Sequence, residues 1–293
     1  MTFNPDADIS RGRASKRGRT TGIAVGGGLG VIALFVLSQF LGFDVTGLLG
    51  GGQQQESAPD SSIEECQTGA DANARVDCRM RGASASLEDY WQQAAPAELG
   101  VAYRPPQDFV LFDQTVATGC GQATSATGPF YCPPDQTIYL DVTFYDELES
   151  RFGADAGPLA QMYVVAHEWG HHVQNLAGVL ERSQDGQTGP TSNAVRVELQ
   201  ADCFAGAWVG SASQTTDASG VPLLRTPTRD EVDQALSAAA AVGDDRIQQA
   251  TQGQVTPHTF THGSSEQRQR WFVTGYEQGP AACDTFAVDG AQL

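Results

Sequence analysis

Asp155-Ala-Gly-Pro-Leu-Ala-Gln-Met-Tyr-Val-Val-Ala-His-Glu-Trp-Gly-His-His172 is the stretch from which the rest of the chain can be read. Pro158 suits the first turn of a helix, where its fixed φ is helical and its missing N–H is not needed. After it Leu159, Met162, Tyr163, Ala166 and Gly170 recur at three-to-four spacing and continue through Val173, Leu176 and Leu180. That period predicts one long, largely buried helix. His167 and His171 lie four residues apart on it, so both imidazoles leave the same face and can grip one metal ion. Glu168 is rotated by about 100° from them, near enough to take a proton from water at that ion. Three of the five histidines fall within residues 167–172. Two histidines and a glutamate inside a buried helix are costly unless something binds them.

The pattern His167-Glu168-x-x-His171 is the H-E-x-x-H arrangement of zinc hydrolases, in which catalytic zinc takes three protein ligands and keeps a fourth position open. A third histidine at the short spacing would stand at 177, where this chain has Ala177. A second helical pattern instead opens after the polar loop 183–191 and reads Asn193-Ala-Val-Arg-Val-Glu-Leu-Gln-Ala-Asp-Cys-Phe-Ala-Gly-Ala-Trp208. Glu198 and Asp202 share one face of it. They suit a His-His-Glu site in which Glu198 binds one zinc ion per chain and Asp202 holds the far ring nitrogen of His167. Two solvated helix carboxylates are the alternative, but Leu199, Ala201, Cys203, Phe204, Ala207 and Trp208 crowd both flanks.

These segments, with Thr261-His262-Gly-Ser-Ser-Glu-Gln-Arg268 and Phe130-Tyr-Cys-Pro-Pro-Asp-Gln-Thr-Ile-Tyr-Leu-Asp141, carry a family resemblance. From about Cys66 to Phe286 the chain resembles the bacterial neutral zinc metallopeptidases, membrane-anchored proteins of the Glu-zincin kind. The resemblance implies an α+β, zincin-like domain, mostly helical with a small β-sheet, and peptide-bond hydrolysis. Ordinary zinc chemistry then makes Glu168 the general base. His262, in a turn before a helix over 265–278, is a candidate to stabilise the developing oxyanion, or else a capping or loop histidine. His172 reads as a packed neighbour and His258 as loop surface. A zinc amidase acting on cell-wall peptides and an idle zinc-binding scaffold are the other classes; an intact Glu168 argues against the scaffold.

Gln136-Thr-Ile-Tyr-Leu-Asp-Val-Thr-Phe144 alternates as a strand, and an edge strand beside the zinc helix would hold extended peptides main chain to main chain. An internal strand without substrate contact fits the same pattern. Thr228-Arg-Asp-Glu231 forms a capping box that opens a helix through Ala241. Arg268 and Arg270 on the 265–278 helix read best as surface residues, the alternative being that they face acidic residues of the core or a substrate carboxylate.

The other end of the chain bears on location. Arg11, Arg13, Lys16, Arg17 and Arg19 precede an uncharged run from Thr20 to Phe43, which exceeds the roughly 20 residues a membrane helix needs. Cations ahead of such a span predict a cytoplasmic tail over 1–19, a single-pass anchor over 20–43 and an exported chain beyond it. Residues 44–62 read as a flexible linker and 63–293 as the metallopeptidase domain. Gly22, Gly26 and Gly30 permit weak self-association of the span. Six cysteines after it suit disulfides in an oxidising compartment, with Cys66–Cys78, Cys120–Cys132 and Cys203–Cys283 as the expected pairs. With 35 acidic against 17 basic residues, nucleic acid is excluded as a partner; the partners expected are a peptide or protein substrate and the bilayer.

Overall fold

A computed structural model describes residues 1–17 and 63–293. The expected span 20–43 and linker 44–62, and with them the proposed self-association, lie outside the described residues. No helix among the described residues is long and apolar enough to cross a membrane.

The chain opens with an extended arm ending in β1 (Ser15–Arg17), and resumes with α1 (Gly69–Ala74) and α2 (Val76–Ala94). Thr68 and Asp71 close a reciprocal capping box at the start of α1. Five short strands join β1, namely β2 (Asp108–Phe112), β3 (Thr115–Thr118), β4 (Gly121–Thr124), β5 (Phe130–Cys132) and β6 (Thr137–Asp141), and β-branched and aromatic residues dominate β2, β3, β5 and β6. They form a four-stranded sheet in the order β1-β2-β6-β5 and a separate β3-β4 hairpin. β1 and β6 run parallel to β2, whereas β5 runs antiparallel to β6. The order corrects one alternative above: β6, within the Gln136–Phe144 segment, lies inside the sheet, and the edge strands are β1 and β5.

Helices supply the remainder: α3 (Phe144–Phe152), α4 (Pro158–Leu176), α5 (Val179–Arg182), α6 (Asn193–Ser211), α7 (Arg229–Ala241), α8 (Asp244–Gln252) and α9 (Ser265–Gln278). The architecture is thus mixed and mostly helical, with small sheets. Pro158 occupies the first turn of α4 as expected. The helix ends at Leu176 rather than running to Leu180, because Gly178 adopts φ 67°, a left-handed conformation that halts it. Leu180 falls in the separate short α5. The Thr228–Glu231 capping box opens α7 as its sequence predicts.

α4 is central, and its buried face carries Leu159, Met162, Tyr163, Ala166, Trp169 and Val173. α6 and α9 cross almost backbone to backbone. A Cβ on Gly275 would stand 1.8 Å from the Cys203 carbonyl oxygen, and one on Gly206 would stand 2.0 Å from that of Phe272. This approach brings the first turn of α9 against the middle of α6, which matters for the site below. The cysteines pair as Cys66–Cys78, Cys120–Cys132 and Cys203–Cys283.

The N-terminal tail differs from expectation. Residues 1–17 are not a free basic tail but part of the domain, with Met1, Phe3, Ala7 and Ile9 in the same core as α2 and α4.

Candidate metal centre

His167 and His171 leave α4 one turn apart, with ring centroids 4.7 Å from each other, and α6 presents Glu198 to both. The Nε2 of His167 lies 3.2 Å from Glu198 Oε2, and the Nε2 of His171 lies 3.6 Å from Glu198 Oε1. Donor atoms held 2.0–2.2 Å from one tetrahedral ion stand roughly 3.3 Å apart, so these spacings fit zinc. His167, His171 and Glu198 are the grouping among the described residues that combines free donor atoms with this closeness; the other cluster, Cys66, Asp77 and Cys78, has its sulfurs in a disulfide.

Each histidine is oriented through its other nitrogen. The His167 Nδ1–H donates to Asp202 Oδ1 at 2.8 Å, one turn beyond Glu198 on α6. His171 Nδ1 lies 2.8 Å from Gln174 Oε1. The Gln174 amide is itself fixed, since its Nε2 donates to the Val197 carbonyl at 2.7 Å and to Gln200 Oε1 at 3.0 Å. Gln200 in turn donates to the Cys283 carbonyl at 2.9 Å, beside the Cys203–Cys283 bridge. With both Nδ1 atoms engaged, both Nε2 atoms are turned to the shared position.

Asp202 is fully buried and would be an expensive charge alone. Arg268, on α9 and only 3% exposed, clamps it through Nε to Oδ2 at 2.8 Å and Nη2 to Oδ1 at 2.9 Å. Tyr163 donates its hydroxyl to the same carboxylate at 2.5 Å. This corrects the surface reading of Arg268, which the close α6–α9 crossing buries; Arg270 is the exposed one, paired with Glu266. Burial alone would lower the His167 pKa, but the Asp202 charge and the hydrogen bonds to Asp202 and Glu198 outweigh it and raise it to about 10. Burial would raise Glu198, yet the nearby His171, His167 and His262 hold it well below the usual carboxylate range.

Residues 5–286 match the family described as putative neutral zinc metallopeptidase. The chain belongs to this family. An uncharacterized protein of Mycobacterium tuberculosis is 49% identical over 233 residues, which are 79% of this chain and 78% of that protein. The uncharacterized Escherichia coli K12 protein YpfJ is 41% identical over 268 residues, 89% of this chain and 86% of that one. No solved structure matches. The family match begins inside the N-terminal arm rather than near Cys66.

Other residues of this family member sort by position. Glu168 is buried beside the donor set; burial raises its pKa, while His171 and His167 and the Tyr131 N–H act to lower it. The net direction is upward, which suits a carboxylate that must take up a proton. Tyr131 belongs to β5, so this edge strand and Glu168 are in contact. His172 is fully buried: Nε2 donates to the Arg104 carbonyl at 2.7 Å and Nδ1 accepts from Tyr131. Burial lowers its pKa to about 4 and keeps it neutral, a packing residue as expected. His258 lies exposed in a short turn, also as expected.

His262 lies near enough to the donor set for its charge to act on Glu198. Asp244, the first residue of α8, places it. One Asp244 oxygen accepts the backbone N–H groups of Thr261, His262 and Gly263 at 2.7, 2.7 and 3.0 Å. The other oxygen lies 3.0 Å from His262 Nδ1, so Asp244 engages that nitrogen and not Nε2. Burial would lower the His262 pKa, but Asp244 raises it. Asp244 and Gln174 went unread in the sequence. Gln174 carried a usable signal, three residues after His171 on one helix face; Asp244 carried none, since its partners lie 17 to 19 residues away.

Proposed function

We propose that this protein is a zinc-dependent peptidase that hydrolyses peptide bonds of extended substrates outside the cytoplasm. The observation that carries the reading is the convergence of the His167 and His171 Nε2 atoms with the Glu198 carboxylate, beside a buried Glu168 of raised pKa. Zinc held there supplies a Lewis acid that polarises the substrate carbonyl and makes a water acidic near neutral pH.

The chain's own residues do the rest. Glu168 takes the proton from that water and later delivers it to the leaving amine. His262, held by Asp244 and favouring its protonated form, donates from Nε2 to the oxyanion that develops on the carbonyl. Asp202, clamped by Arg268, keeps His167 in the tautomer that frees Nε2. β5 is an edge strand whose Tyr131 N–H already reaches Glu168, so a substrate strand added along it lies against the base. Three disulfides support an oxidising compartment.

The test is cleavage of a diverse peptide library by the full chain, read by mass spectrometry beside Glu168→Gln. We expect cleavage by the wild type, abolished by a chelator and reduced by about 10²–10⁴ in the variant. A wild type that binds zinc yet cleaves no peptide would overturn the reading.

A further inference from the structure

The N-terminal arm is built into the domain as tightly as any internal element. Phe3 is 1% exposed, and its backbone N–H and carbonyl are both taken by the Asn73 side chain at 2.9 Å, as a strand partner would take them. Asn4 donates to the Leu223 carbonyl and Thr2 accepts from Arg225, at 2.9 and 3.0 Å. Further along, Ile9 donates to Gln67, and the Ala7 carbonyl accepts from Gly69. β1 then extends the main sheet along β2.

The receiving surface is shaped for the arm. A Cβ on Gly82 of α2 would stand 2.5 Å from the Phe3 ring, and one on Gly69 would stand 1.9 Å from the Asn4 carbonyl oxygen. No real Cβ comes so close, so side chains at these two positions would expel the arm. Charge agrees with shape. Arg13 pairs with Glu88 at 2.8 Å, Arg17 with Asp108 at 3.5 Å and Arg11 with Asp89 at 3.7 Å. Three of the five cations that read as a cytoplasmic signal, Arg11, Arg13 and Arg17, are therefore engaged by acidic residues of the domain.

Docked contacts and a single membrane crossing exclude each other. If residues 20–43 crossed a bilayer once, the arm and the domain would lie on opposite faces. Two helical crossings need about 40 apolar residues, more than the run from Thr20 to Phe43 contains. We infer that residues 1–17 and 63–293 occupy the same side of any membrane the chain meets, as one folded body.

The experiment uses the full chain in intact cells, with one exposed residue changed at a time, Asp6→Cys in the arm or Ser219→Cys in the domain. A membrane-impermeant maleimide is applied before and after permeabilisation. Both positions label together, or both are protected together, if the inference holds. Labelling of one in intact cells while the other requires permeabilisation overturns it. A second readout guards against mispaired cysteines: the melting temperature of the purified full chain carrying Phe3→Ala. Loss of a buried phenylalanine lowers it by roughly 6–20 °C if the arm is part of the folded body. An unchanged melting temperature overturns the inference.

Discussion

Zinc affinity should climb with pH over a range in which ordinary histidines no longer titrate. In the metal-free protein His167 sits between Asp202 and Glu198 and holds a proton up to about pH 10. Zinc needs the neutral imidazole, so binding must release that proton. Below the raised pKa, one proton released per ion tightens binding about tenfold per pH unit, or about thirty-fold between pH 7.5 and 9. A histidine at its ordinary value of 6.5 would be neutral throughout that range and would leave the affinity flat. Competition against a chelator of known affinity measures the slope, and calorimetry in two buffers of different ionisation heat counts the protons. Asp202→Asn, which removes the charge that raises His167, should flatten the slope while leaving a weaker site. A flat profile in the wild type, with no proton released at pH 8, would refute the electrostatic account of the site. The same shift has a stability consequence of definite sign. Because the folded pKa lies above the unfolded one, His167 stabilises the metal-free fold fully below about pH 6.5, and that contribution is lost as pH rises towards about 10.

Three further outcomes follow from named contacts. Gln174→Leu removes the partner of His171 Nδ1 and should weaken zinc about 10–100-fold, measured by chelator competition, while Gln174→Glu should retain tight binding. Arg268→Met strands the buried Asp202 carboxylate and should cost about 3–5 kcal/mol in chemical denaturation; adding Asp202→Asn should recover part of that loss. His262→Ala should lower kcat by about 10²–10³ with zinc affinity little changed, and Asp244→Ala should follow it in the same direction.

How far the site was legible depends on how local its geometry is. His167, Glu168 and His171 follow from helical periodicity, and Glu198 with Asp202 follows from the same periodicity on the next long helix. The two helices still had to be brought together. The disulfide pairs matched the order of the cysteines along the chain, but Cys203–Cys283, with a sequence separation of 80, depends on the α9 return that no spacing encodes. Arg268 shows the limit most plainly. Its helix was readable, yet whether the guanidinium meets solvent or Asp202 depends on glycines at 206 and 275 letting two backbones nearly touch.

By itself, then, the amino-acid order determined the elements whose information is local: the turn of α4 that sets His167 and His171 on one face, the carboxylate face of α6, the capping box before α7 and the acidic charge balance. Only the tertiary structure decided which strand stands at the sheet edge, which arginine neutralises Asp202, how Asp244 aims His262, and that residues 1–17 belong to the domain. The physical reason is common to all four. Each is a contact between segments distant in sequence, set by packing and buried charge pairing, and neither leaves a period or a spacing along the chain.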